Sequence, residues 1–202
     1  AGHTGMLTIG AISTAMLDVL PPLIDKMKAR YPDIVISIKE IDSAEAVLAL
    51  QNGEIDLAFA RLTGEMGEGI TLLPLSSAEL VVALPRQHRL AGESQIALRD
   101  LMQEEWVMFS RHLSPAYFDS ITAACRNEGS SPRIIHHVRS VSSQIAFVAS
   151  GQGIALVPPS PERPPPANVV TLPLVPAVAA IPTAVASPPP RQNPPAATFL
   201  AP

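Results

Sequence analysis

The sequence has one cysteine in 202 residues, Cys125. That excludes an internal disulfide and any multi-cysteine metal site, and it fits a reducing compartment, so a cytoplasmic protein is expected. It has no basic excess either. Fourteen lysines and arginines face 18 aspartates and glutamates, for a net charge of −4, and the overall footprint of a nucleic-acid binder is missing. No apolar run reaches the ~20 residues that a membrane-spanning helix needs. Ala1-Gly2-His3-Thr4-Gly5 is not a basic-plus-apolar signal sequence and is expected to be a linker or the cut edge of a longer protein. HExxH, a Walker loop, G-x-S-x-G and a dinucleotide glycine pattern are all absent, as is any internal repeat. Neither catalysis nor a cofactor nor a bound metal is expected. His136-His137 are adjacent on a predicted strand and point to opposite faces, one inward and one outward. Cys125 lies mid-helix with no base nearby, as a packing residue would.

What is present is a folding chain. Hydrophobic residues make up 47%, enough to bury a core as one domain or two small lobes. Leu7 to Ile12 reads as a buried strand, and Ser13-Thr14 precede a stretch of helix formers. Leu17, Leu20, Leu23, Ile24 and Met27 keep helical spacing to about Ala29, with Pro21-Pro22 bending or dividing the helix. Ile34 to Glu40 is a strand. Asp42 and Glu45 have capping-box spacing before a second helix, which Gly53 ends. Ile55 to Arg61 is a third strand that carries Arg61 to its carboxyl end. Two strand–helix–strand units in succession predict a parallel α/β sheet with crossovers.

Further along, Glu79 to Pro85 reads as a strand crossing into a second lobe. Leu98 to Met102 is a short helix, and Trp106 to Phe109 a strand. Ser114-Pro115 is an N-cap followed by a first-turn proline, opening a helix to about Asn127. Ile134 to Val138 is a strand, Ser140 to Ala149 a helix, and Ile154 to Val157 a buried strand. Most of the 22 prolines follow Val157 and forbid long helices there. Val169 to Leu172 and Ile181 to Ala186 remain strand-like, and extended chain returning to the first lobe is expected. Asn193 to Leu200 can form one or two helical turns.

Four strand-to-helix junctions bear hydroxyls: Ser13-Thr14, Ser43, Ser114 to Tyr117, and Ser140 to Ser143. Open parallel sheets bind ligands beyond the carboxyl ends of their strands, and helix N-termini favour anions. These junctions therefore suit a small carboxylate, although each hydroxyl can equally cap its own helix. Arg61 can offer a positive fork to a second carboxylate or join a salt bridge. Tyr117 can stack on a planar ligand or pack at the rim.

Several pieces, in order, resemble the effector-binding domain of LysR-type transcriptional regulators. They are Gly5-Met6-Leu7-Thr8-Ile9-Gly10, Leu20-Pro21 followed by Tyr31-Pro32, Gly53-Glu54-Ile55-Asp56-Leu57-Ala58, Leu84-Pro85 with His88-Arg89-Leu90-Ala91, and Gly151-Gln152-Gly153-Ile154-Ala155-Leu156-Val157-Pro158. The resemblance implies a two-lobed α/β fold of the type 2 periplasmic-binding-protein kind, each lobe a mixed, mostly parallel sheet flanked by helices. Residues 1–80 with 187–202 would form one lobe and 81–186 the other, with crossings near 78–84 and 182–188. Phe59-Ala60-Arg61-Leu62 and Ser114-Pro115-Ala116-Tyr117 are similar to the branch that controls aromatic-compound catabolism and responds to muconate, chloromuconate or benzoate. By that resemblance Ser13, Thr14, Ser43, Ser114, Pro115 and Tyr117 hold an effector in an inter-lobe cleft, and Arg61 either contacts it or switches between lobes; Ser142 is added from the fourth hydroxyl-bearing junction. It also implies a homodimer or tetramer, and DNA binding only through an N-terminal winged helix-turn-helix that this sequence does not contain. A transport-associated solute-binding protein of the same fold is the alternative.

Overall fold

The computed structural model describes residues 5–67 and 69–189. The expected linker at Ala1 to Thr4 and the short helix at Asn193 to Leu200 lie outside them. The chain divides into two units, Ala1–Ser76 with Pro182–Pro202, and Ser77–Ile181. Both boundaries fall a few residues ahead of those anticipated, the second because the returning strand from Thr183 already belongs to the first sheet.

In the first unit, β1 (Gly5–Ala11) runs parallel to β2 (Ile34–Glu40) and to β3 (Leu57–Arg61). β4 (Thr71–Pro74) and β11 (Thr183–Ser187) complete the order β2-β1-β3-β11-β4. β11 is antiparallel to both of its neighbours. The parallel share is thus smaller than anticipated, since the returning strand enters from the opposite end. Helix α1 (Ser13–Asp18) gives way at Val19 to α2 (Leu20–Arg30). The break precedes Pro21-Pro22, which occupy the first turn of α2, where their missing N–H groups are not needed. Leu7, Ile9, Leu20, Met27 and Phe59 fill the core between helix and sheet. A 3-10 turn, Ser43–Glu45, leads into α3 (Ala46–Gln51). The capping box forms there, with the Glu45 carboxylate accepting from the Asp42 N–H at 2.7 Å. Gly53 leaves the helix with φ +72.

In the second unit, β5 (Val81–Pro85) lies between β9 (Ala155–Val157) and β10 (Val169–Val175), antiparallel to both. β6 (Ile96–Ala97) pairs parallel to β10. A 3-10 turn at Leu98–Leu101 stands where a short helix was predicted. β7 (Glu105–Phe109) and β8 (Arg133–Val138) form a parallel pair. Helix α4 (Pro115–Asn127) joins them, and α5 (Val141–Ala149) leads from β8 towards β9. A single bridge, Trp106 to Ile154, links β7 to the approach of β9. Gly153 makes that approach possible. Its φ is +147, and a Cβ there would lie 2.6 Å from the Glu105 carbonyl oxygen. Trp106, Tyr117, Ile121, Cys125, Val148 and Leu156 share the core. Trp106 also donates its indole N–H to the Leu101 carbonyl at 2.9 Å.

Candidate functional site

Each unit presents its strand-to-helix junctions separately. In the first, β1 ends at Ala11, and the Ile12 N–H donates to the Phe59 carbonyl at 3.0 Å. Ile12 is the N-cap of α1, so Ser13 and Thr14 are its first two residues and neither is its cap residue. This corrects the capping alternative: the chain stays extended one residue short of the first hydroxyl. Thr14 is buried and Ser13 half-buried.

Ser43 is buried at the start of its 3-10 turn. Its Oγ accepts the Arg61 N–H at 3.0 Å, 18 residues away in sequence. The hydroxyl therefore ties the α3 junction to the carboxyl end of β3. Arg61 is the last residue of β3, buried and paired in register with Thr183.

In the second unit, Ser114 is the N-cap residue of the 13-residue α4, with Pro115 first in the helix. The capping bond is missing: the Ser114 side chain makes no cap hydrogen bond, and its ψ of 76 departs from the extended value usual at an N-cap. Ser114 is 7% exposed, yet its Oγ is buried without a hydrogen-bond partner. A buried hydroxyl in that condition is costly. Here it stands where the α4 dipole and first-turn N–H groups favour negative charge. Tyr117, one turn on, belongs to the core and not to a rim, its ring edge-on to Phe109 at 5.2 Å between centroids.

Ser142 is the second residue of α5 and exposed. The cap of α5 is Ser140, whose Oγ accepts the Ser143 N–H at 3.0 Å and donates to the Ser143 hydroxyl at 2.9 Å. That junction is satisfied within the chain, unlike the one at Ser114. Gln144 was not anticipated. It is fully buried, its Nε2 donates to the Val107 carbonyl at 3.1 Å, and its Oε1 has no partner. The sequence did hold a signal: Val141, Gln144 and Val148 form the buried stripe of α5, and a glutamine on such a stripe must find hydrogen bonds inside.

Several charges of the second unit are committed to one another. Arg111 forks onto Asp119 through two 2.8 Å bonds, which raises the arginine and holds the carboxyl below its ordinary range. Glu104 meets His88 Nε2 at 3.0 Å and Arg89 at 2.7 Å. Burial works against its ionisation, but the hydrogen bonds and charges of His88 and Arg89 outweigh burial and keep its pKa low. Of the adjacent histidines, His136 turns inward to stack edge-on against Phe147, and His137 is exposed. Burial pushes the Cys125 thiol up to about 11. Among the described residues no cluster of three or more His, Cys, Asp or Glu is placed to hold a metal ion, and no helix is long and apolar enough to cross a membrane.

Residues 1–201 match the LysR substrate binding domain family. The chain belongs to that family. Among curated relatives, the regulator BudR of Raoultella terrigena is 31% identical over 160 residues, covering 79% of this chain and 55% of that protein. CatR of Pseudomonas putida is 29% identical over 162 residues, covering 80% and 55%. The chain spans about half the length of the curated relatives it matches. A LysR family regulator from Pseudomonas aeruginosa has TM-score 0.83 at 28% identity, covering 97% of this chain and 72% of that one. The BenM effector binding domain, solved with its effector benzoate, has TM-score 0.77 at 25% identity, covering 93% and 85%. The chain is therefore a substrate binding domain of the LysR kind, and its fold is the mixed α/β arrangement of that family. A solute-transport role is not favoured. BudR and CatR resemble it to nearly the same degree, so these likenesses do not single out one branch.

Proposed function

We propose that this domain senses a small carboxylate of the muconate or benzoate kind. The observation that carries this reading is the buried, unpartnered Ser114 hydroxyl at the start of α4. A carboxylate oxygen there would accept from Ser114 Oγ and from first-turn N–H groups, removing the cost of the orphaned hydroxyl. Pro115, Tyr117 and Ser142 are the other effector residues proposed in this unit. Ser13, Thr14, Ser43 and Arg61 are those of the first unit, with Ser43 acting through the position of Arg61. BenM is described with benzoate as its effector, which supports an acid of this class.

The effector would act by binding two arrangements of the protein unequally, as any ligand-driven switch requires. In the full-length regulator the response would pass to an N-terminal winged helix-turn-helix on DNA. The regulator would work in the cytoplasm as a homodimer or tetramer, pairing through α1–α2 and α4. The test is calorimetric titration of the domain with cis,cis-muconate and with benzoate, beside Ser114→Ala. Saturable binding that weakens in the variant supports the reading, and absence of binding to both acids overturns it.

A further inference from the structure

The β7 strand is the point at which the second unit reverses strand order. The chain leaves β7 through α4 to reach β8 on one side, then returns through α5 to β9 on the other. In open α/β sheets such a reversal opens a crevice beyond the carboxyl ends of the strands, where ligands bind. Here β7 and β9 part early. Val107 N–H donates to the Ile154 carbonyl at 2.8 Å, continuing the single bridge between them. The Val107 carbonyl is taken instead by the Gln144 side chain, at 3.1 Å. Gln144 thus occupies the place where the two strands separate, and that bond fixes which end of its amide carries the NH2. The other end, Oε1, is buried with no donor.

Two orphaned polar atoms consequently stand on the two helices that leave the same parallel pair. Ser114 Oγ begins α4 and has a proton to give; Gln144 Oε1 lies one turn into α5 and can only accept. The geometry points to Gln144 as a specificity-determining residue of the site proposed above, an acceptor that reads a hydrogen-bond donor on the ligand. The inference rests on that proposed site and narrows its ligand class. The preferred acid carries a hydroxyl beside its carboxylate, the carboxylate going to the α4 junction and the hydroxyl to Gln144. An acid without a donor leaves Oε1 orphaned in the complex, and such sites discriminate strongly against the analogue that lacks the group.

The test compares matched acids on the intact chain by calorimetry: benzoate with 2-hydroxybenzoate, succinate with malate, and propionate with lactate. At least one hydroxy acid should bind about tenfold or more tighter than its partner, and Gln144→Met, checked for folding by circular dichroism, should abolish that preference. Equal binding within every pair overturns the role of Gln144 and leaves the carboxylate site standing, as does a preference that survives in Gln144→Met. Failure of all six acids and of cis,cis-muconate to bind overturns both. The comparison within pairs uses the unsubstituted chain, so equal binding overturns the role of Gln144 even if the variant does not fold, and Gln144→Glu, which keeps the shape of the side chain, then replaces it in assigning a preference to this residue.

Discussion

The Arg61 N–H donates to the Ser43 hydroxyl over 3.0 Å. This bond joins the end of a fully buried strand to the first residue of the turn that opens α3, and both partners are buried. Ser43→Ala strands the Arg61 N–H away from water. It should cost about 1–2 kcal/mol, read as a lower urea midpoint with an unchanged slope. A loss of ligand affinity in that variant would then act through Arg61, so Ser114→Ala is the cleaner probe of contact.

Gly153 and Gly53 both have positive φ, but only Gly153 is crowded. An added Cβ would meet the Glu105 carbonyl oxygen at 2.6 Å, whereas nothing lies within 4 Å of Gly53. Gly53→Ala should cost about 1–2 kcal/mol for the left-handed backbone alone. Gly153→Ala should cost more than about 3 kcal/mol, because it forces β7 away from the β9 approach as well. Thermal unfolding of the two variants side by side checks the order.

The Glu104 cluster gives the fold an acid-sensitive contribution. Its carboxyl is held below the ordinary value by His88 and Arg89, despite burial. A depressed folded pKa contributes stability that is fully present above the unfolded value and is lost as pH falls through the folded one. The melting temperature should therefore fall as pH drops from about 5 towards about 3. Glu104→Gln should flatten part of that slope. A slope identical to the wild type would remove Glu104 from the explanation.

Cys125 is fully buried in the core, and its pKa is about 11. At pH 8 about one thiol in a thousand would be ionised even if reagent could reach it. The folded chain should resist a thiol-reactive dye and consume one equivalent on unfolding in guanidinium.

Local signals carried much of the fold. Pro21-Pro22 announced a divided helix, Asp42 with Glu45 a capping box, and the alternation through His136-His137 one inward and one outward ring. The departures are non-local. The direction of β10 and β11 depends on which strands they join, and β6 is only two residues long. At the candidate site the hydroxyls were legible as residues, but their duties were not. Ser43 spends its acceptor on a residue 18 positions away, Ser140 satisfies its own helix, and Ser114 satisfies nothing within the chain. Hydroxyls before helices look alike in sequence, and only their three-dimensional partners tell them apart.

The most direct measurement is titration of the wild-type domain and Ser114→Ala with benzoate and cis,cis-muconate, with the melting temperature of each ligand-free protein recorded beside it. Removing an orphaned hydroxyl should leave ligand-free stability unchanged or slightly raised, and should weaken saturable acid binding by about 1–2 kcal/mol. Binding unaffected by Ser114→Ala, or no binding of either acid to the wild type, would contradict a carboxylate sensor built on the start of α4.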